Sequence, residues 1–171
     1  MMGQRVLQAF GLGSLAIAVP KRSDLGDGVI DAMIAGDRRA GAPEAMREFV
    51  GIAFRVAQGA SQFECFYLRP TNGRADDQLR RNHATQYISH PDYPWFRLRD
   101  ETPGVYESYA DLVPGAWTAI QIAVSGARAR LHVNGARQPT LIVTTSSSGR
   151  RTARSRCGSG QVRKRTSPGS S

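Results

Sequence analysis

The side chains suited to ligand recognition are concentrated between residues 67 and 97. This segment combines aromatic rings with histidines, arginines and the planar side chains of Asn and Asp. Aromatic faces bind the C–H surfaces of sugars, and planar polar groups bond their hydroxyls, so the mixture is typical of a carbohydrate site. A polar segment of about 30 residues is also long for a connection in a compact domain, which favours a functional role. The residues that we expect to bind a sugar are Tyr67, Arg69, Asn82, His83, Tyr93, Trp95 and Arg97.

A structural role for the same segment is the alternative. Trp95 and Tyr87 would then fill the core beneath a long loop, and the charged side chains would pair with one another. The residues by themselves leave both interpretations open.

Acid catalysis on a sugar has few candidate residues in this chain. Glycoside hydrolysis usually needs two carboxylates about 5–10 Å apart. Glu64 and Glu107 are isolated in predicted strands, and adjacent acids such as Asp76 and Asp77 point apart in an extended chain. Glu107, in the run Y-E-S-Y, is the best single acid candidate, with a solvated strand face as the alternative. His83 is the second catalytic candidate.

The spacing of possible metal ligands in the sequence matches no standard metal site, so no cofactor is expected. His83 and His90 match no standard zinc pattern. Asp76 and Asp77, near Asn72, are the alternative: a calcium site, because calcium takes carboxylate and amide oxygens.

Alternation of apolar and polar residues predicts many short strands. Ile120, Ile122 and Val124 are expected on one face of a strand, and Val50, Ile52, Phe54 and Val56 on one face of another. Two further strands are expected within 69–104, at 85–88 and 95–98, and Asn134-Gly135 indicates a type I′ hairpin turn. The remaining strands are expected at 15–19, 29–35, 63–68, 105–109, 129–133 and 139–143.

The strand pattern predicts the fold class. No amphipathic helix longer than two turns is apparent, and strand signals recur at short spacing. We therefore expect an all-β fold, an antiparallel β-sandwich or jelly roll, over residues 1–143.

The charge of the chain is unevenly distributed. The chain has 23 basic and 14 acidic residues, which gives a formal charge of +9. Seven of the basic residues and none of the acids lie in 144–171, so the remainder carries 16 basic residues against 14 acids. The segment 144–171 has too few apolar residues to offset its ordering entropy and is predicted to be disordered. The alternative interpretation of this charge is that the tail binds nucleic acid. It predicts a nucleic-acid affinity that depends steeply on salt and is lost when the chain is truncated at residue 143. We expect a carbohydrate partner and no nucleic acid.

Composition gives little about location or assembly. No run of 18 apolar residues is present, so no membrane partner is expected. The mildly apolar stretch near the N-terminus is interrupted by Gly11, Gly13 and Ser14, and it predicts a strand rather than a signal peptide. Cys65 is predicted to be a core residue and Cys157 lies in the tail. Neither a disulfide, a compartment nor an oligomeric state follows.

Four runs of the chain resemble the concanavalin A-like lectin/glucanase domains of bacteria. They are F-V-G-I-A-F-R-V at 49–56, F-Y-L-R-P-T-N-G-R-A-D-D-Q-L-R-R-N-H-A-T-Q-Y-I-S-H-P-D-Y-P-W-F-R-L-R at 66–99, Y-E-S-Y-A-D-L-V-P-G-A-W at 106–117 and L-H-V-N-G-A at 131–136. They are similar to the laminin-G-like proteins near the 3-keto-disaccharide hydrolase group, and the resemblance covers about residues 12–143.

The resemblance implies a concanavalin A-like jelly roll and two functions. The first is a lectin-like domain that binds carbohydrate through the 67–97 region. The second is a glycoside hydrolase of the 3-keto-disaccharide hydrolase type. Sandwich glucanases of this type carry an E-x-D-x-E or E-x-D-x-x-E strand motif, which this chain lacks. The missing motif favours binding.

The resemblance ends at the tail. The family usually continues with an Asp-Leu-Lys-type turn and a closing strand that carries a Trp, whereas this chain does not. One choice of synonymous codons for the tail, read in a shifted frame, restores such an ending. We therefore expect that the tail is out of frame, that the sandwich lacks its last strand, and that the product is marginally stable. The coding DNA near codon 144 tests this expectation.

Overall fold

The computed structural model describes residues 8–12, 15–19, 26–36 and 49–145, which form two packed β-sheets. Two short α-helices, Gln78–Asn82 (α1) and Trp95–Glu101 (α2), lie in the segment between the fifth and seventh strands. No helix in these ranges is long and apolar enough to cross a membrane. The strands are Gln8–Leu12 (β1), Leu15–Val19 (β2), Gly28–Ile34 (β3), Phe49–Phe54 (β4), Phe63–Leu68 (β5), Thr85–His90 (β6), Glu107–Ser108 (β7), Thr118–Ser125 (β8), Arg128–Val133 (β9) and Leu141–Thr144 (β10).

The larger sheet has six strands in the order β1-β2-β4-β5-β6-β7, and the smaller has four in the order β10-β9-β8-β3. Pairing is antiparallel except between β2 and β4, which run parallel. The predicted all-β class and the sandwich of two sheets are confirmed. The parallel pair is a departure from the predicted antiparallel pattern.

The core lies between the two sheets. Burial alternates along β8, and Ile120, Ile122 and Val124 all face inwards as predicted. Leu131 of β9 and Phe66 of β5 join them from the two sheets, with 0% and 1% of their surfaces exposed. Each such side chain contributes about 1.5–3 kcal/mol through removal from water.

The strand predicted at 95–98 is wrong, because this segment is the helix α2. Pro94 precedes the helix at its N-cap, and its fixed φ of −69° suits a helix start. Leu98 is buried and the Arg97 Nε donates to Glu101 Oε1 at 2.6 Å, a spacing of four residues that only a helix brings together. The strand predicted at 85–88 is present and extends to His90.

The prediction that Val56 lies on the same strand face as Val50, Ile52 and Phe54 is also wrong. Strand β4 ends at Phe54, and Arg55 has a φ of 51°, which turns the chain. Val50, Ile52 and Phe54 contact the intersheet core, but Val56 packs against a second apolar cluster on the outer face of the larger sheet. That cluster contains Ala53, Phe63, Cys65, Tyr67 and Ile88, so Cys65 is buried as predicted.

Asn134 and Gly135 have φ values of 51° and 70°, as a type I′ turn requires. They do not form a two-residue hairpin, because residues 134–140 connect β9 to β10. Asn134 instead exchanges hydrogen bonds with Ala119 of β8: its backbone N–H donates at 2.7 Å and its side-chain oxygen accepts at 3.2 Å.

The last described strand runs one residue beyond the predicted limit at 143. Thr144 pairs with Arg128, and the backbone N–H of Thr145 donates to Ala127 O at 2.8 Å. The rest of the predicted disordered tail, including Cys157, lies outside the described residues.

Candidate functional site

A row of side chains crosses the outer face of the larger sheet. Tyr67 of β5 pairs with Gln86 of β6, and Gln86 pairs with Glu107 of β7. Residues that face each other on adjacent strands point to the same side of a sheet, so these three form one row. Gly51 of β4 faces Tyr67 at the other end. A Cβ at Gly51 would lie 2.5 Å from the Cβ of Tyr67, so the glycine leaves the space that the tyrosine needs.

Arg69 bridges this row. It lies two residues after Tyr67, and its Nη2 donates to the Tyr67 hydroxyl at 2.9 Å and to Gln86 Oε1 at 3.2 Å. Its Nη1 donates to the His83 carbonyl at 2.9 Å and lies 4.0 Å from Glu107 Oε2. Burial lowers the pKa of Arg69, while Tyr67 and Glu107 raise it. Its hydrogen bonds hold the guanidinium in a largely buried position.

Burial acts on Tyr67 in the opposite direction. It raises the pKa of the Tyr67 phenol to about 12, although the nearby Arg69 lowers it. The phenol is therefore protonated at neutral pH, and its oxygen accepts a hydrogen bond from Arg69.

Glu107 is buried and surrounded by cationic or polar partners, so it does not lie on a solvated strand face. Arg99 Nε lies 3.2 Å and 3.1 Å from its two carboxylate oxygens, and Arg99 Nη2 donates to Oε2 at 2.6 Å. His83 Nδ1 lies 2.7 Å from Oε2. Both carboxylate oxygens of Glu107 are therefore occupied by neighbouring side chains.

His83 is partly shielded from water. Desolvation lowers the pKa of its imidazole below 6.5, the nearby Glu107 raises it, and Arg99 and Arg69 lower it further. The net shift is downwards, so the imidazole is neutral at pH 7.

Arg69, His83 and Arg99 border a cleft of about 360 Å³, within the size range of small-molecule sites. Helix α1 contributes Leu79 and Arg80, and helix α2 contributes Trp95 and Arg99 from positions four residues apart. The residues lining the cleft are Phe49, Arg69, Asn72, Asp77, Leu79, Arg80, His83, Trp95 and Arg99.

A chain of hydrogen bonds holds one wall of the cleft. Asp77 Oδ1 accepts from the backbone N–H of Arg80 at 2.6 Å and so caps helix α1. The Arg80 Nε donates to Asn72 Oδ1 at 3.1 Å, and Asn72 Nδ2 donates to the His83 carbonyl at 3.2 Å.

Trp95 forms another part of the wall, with 42% of its surface exposed. The guanidinium carbons of Arg99 and Arg69 lie 4.9 Å and 5.8 Å from the centre of its ring. These distances are typical of cation–π contacts, which fix the orientation of the indole.

Three of the seven predicted sugar-binding residues, Arg69, His83 and Trp95, line the cleft, and Tyr67 lies in the row that holds Arg69. The other three do not line it. Asn82 accepts a hydrogen bond from Gln78 Nε2 at 2.8 Å on helix α1. Arg97 lies over the ring of Tyr93, with its guanidinium carbon 4.6 Å from the ring centre.

The cleft residues Phe49, Leu79, Arg80, Asn72 and Arg99 were not among the predicted site residues. The strand predicted at 95–98 would have placed Trp95 and Arg97 on the same face of a sheet. In helix α2, Trp95 and Arg99 lie on the same side instead. Their spacing of four residues is the sequence signal that indicates this pair.

Asp76 and Asp77 are the residues of the alternative calcium site. Within the described ranges, no group of three or more His, Cys, Asp or Glu side chains is placed to hold a metal ion. The observed role of the Asp77 carboxylate is to cap helix α1.

Comparison of the chain with protein-family models, with curated proteins and with solved structures finds no match.

Proposed function

We propose that this chain is a lectin-like β-sandwich module that binds carbohydrate in the cleft. The observation that carries the proposal is the exposed ring of Trp95 in one cleft with the planar groups of Asp77 and Arg80. An aromatic ring and planar hydrogen-bonding groups around one cleft are the combination that sugars require.

The proposal includes the type of sandwich. The two sheets would correspond to a concanavalin A-like jelly roll, with the sugar on the outer face of the six-stranded sheet. The row formed by Tyr67, Gln86 and Glu107 lies on that face and supports Arg69 from below.

Preorganisation of the polar groups also favours binding. Arg69, Asn72 and Arg80 are each held by hydrogen bonds to other side chains or to the backbone. A ligand would lose less affinity to the ordering of these side chains than at a surface of free rotamers.

A glycan array followed by calorimetric titration tests the proposal. We expect a saccharide to bind, and Trp95→Ala to weaken its binding at least about tenfold through lost ring contact. Trp117→Ala is the matched control, because Trp117 is 70% exposed and does not line the cleft. Absence of binding to every glycan, or equal binding by both variants and the parent, would contradict the proposal.

A hydrolase of the 3-keto-disaccharide type is the second candidate, and the contact between His83 and Glu107 favours it. A neutral imidazole with a carboxylate beside one ring nitrogen is a common arrangement for proton transfer. Hydrolysis places the hydroxyl of a water molecule on the anomeric carbon and its proton on the leaving oxygen, and His83 would relay that proton.

Turnover separates the two candidates. A 3-keto-glycoside that is cleaved by the parent chain, and not by His83→Ala or Glu107→Gln, would support the hydrolase. A sugar that is bound without turnover would support the binding module.

A further inference from the structure

The cleft has an excess of fixed positive charge. Three arginines, Arg69, Arg80 and Arg99, line it. Of the nearby acids, Glu107 contacts Arg99 through both carboxylate oxygens, and Asp77 is bonded to the backbone of α1. With neutral His83, these groups give the cleft a formal charge of +1.

We propose that the sugar bound in this cleft carries a carboxylate group, so that the ligand is an acidic saccharide. This inference rests on the proposed carbohydrate-binding function and names the ligand class. Arg80 is the residue that recognises the carboxylate.

The hydrogen bonds of Arg80 support this assignment. Its Nε donates to Asn72 Oδ1, which fixes the plane of the guanidinium. Across the part of the chain that the structure describes, neither terminal nitrogen of Arg80 has a protein acceptor. These two nitrogens are therefore available to a ligand. Two parallel N–H groups match the two oxygens of a carboxylate, which is the strongest arrangement that arginine makes.

The surroundings of Arg80 suit the remainder of such a sugar. Leu79 and Phe49 supply apolar surface, and the ring of Trp95 faces the same cleft. Arg69 is held in place behind them and adds a long-range attraction for an anion. A neutral sugar would leave the terminal nitrogens of Arg80 with only uncharged acceptors, which form weaker hydrogen bonds.

The test uses an array of matched glycan pairs, each a uronate oligosaccharide and the neutral oligosaccharide with the same linkage, followed by calorimetric titration of the best pair. We expect the uronate to bind at least about tenfold more tightly than its neutral partner. Arg80→Gln should remove most of this preference, and Arg80→Lys, which keeps the charge without the planar fork, should remove part of it. Arg130→Gln is the control for net charge, because Arg130 is exposed on β9 in the smaller sheet.

The outcomes separate this inference from the proposed function. Equal binding of uronate and neutral sugars would overturn the inference and leave the carbohydrate-binding proposal standing. The inference would also be overturned if Arg80→Gln preferred the uronate as strongly as Arg130→Gln does. Circular dichroism and melting that match the parent show that both variants are folded. Absence of binding to every glycan would overturn the proposed function and the inference together.

Discussion

His83 and Glu107 lie 2.7 Å apart, and each sets the electrostatic environment of the other. Desolvation of the imidazole disfavours its charged form, whereas the carboxylate favours it. The guanidinium groups of Arg99 and Arg69 act in the same direction as desolvation. A neutral histidine at pH 7 is the result, and it keeps one ring nitrogen free of a proton.

Titration of His83 tests this balance. We expect the pKa of His83 to lie below 6.5 and to fall further in Glu107→Gln, because that variant removes the group that raises it. NMR of the imidazole against pH gives both values. Glu101→Gln, which changes an exposed acid paired with Arg97, should leave the His83 curve unchanged. A His83 pKa above 6.5 in the parent would contradict the prediction.

The same shift makes stability depend on pH. Because the pKa of His83 is lower in the folded chain than in the unfolded chain, the unfolded state binds the proton more readily. Above about pH 6.5, the titration of His83 leaves the free energy of unfolding unchanged. As the pH falls below that value, it lowers the free energy of unfolding.

At the scale of elements, the site depends on how closely β4 and β5 pack. Gly51 faces Tyr67 across this pair, and Tyr67 in turn accepts a hydrogen bond from Arg69. A change in strand β4 can therefore reach the cleft through the tyrosine. Helix α2 has a similar role, because buried Leu98 anchors the segment that carries Trp95 and Arg99.

Gly51→Ala tests the first of these connections. An added Cβ would lie 2.5 Å from Tyr67 Cβ and 2.6 Å from Phe66 O, so the strands must shift. We expect the free energy of unfolding to fall by about 1–3 kcal/mol, the usual cost of overpacking. Denaturant unfolding measures it. Gly26→Ala is the control, because a Cβ there meets no atom within 4 Å; equal stability of the two variants would contradict the prediction.

At the scale of the whole molecule, Arg55 joins distant parts of the sandwich at one corner. Its Nη1 donates to Thr145 Oγ1 at 2.8 Å and its Nε donates to Gly26 O at 2.9 Å. Its Nη1 also lies 3.6 Å from Glu64 Oε2 in the larger sheet. Residues just after β10 therefore contribute to the contact between the two sheets.

Two truncations test this corner. A chain that ends at Val143 loses the pairing of Thr144 with Arg128 and the bonds of Thr145 to Ala127 and Arg55. We expect it to be about 1–3 kcal/mol less stable than a chain that ends at Thr145, the range for a few lost hydrogen bonds. Calorimetric melting compares the two. Identical Tm values would show that the corner contributes nothing.

The sequence by itself determined most of the strands and several of their faces. Alternation is a local property, because successive residues of a strand point to opposite sides. It therefore predicted the buried face of β8. The residue type of Cys65 predicted the burial of that side chain. The positive φ of Asn134 and Gly135 also followed from local chemistry.

Only the tertiary structure decided which polar side chains meet. Glu107 looked isolated in the sequence, yet it is buried against Arg99 and His83, because pairing of β6 with β7 brings it onto the same face as Gln86. Trp95 and Arg99 share the cleft because packing of Leu98 favoured a helix over a strand. Pairing between strands and packing of a short helix depend on residues far apart in the chain, which local patterns do not contain.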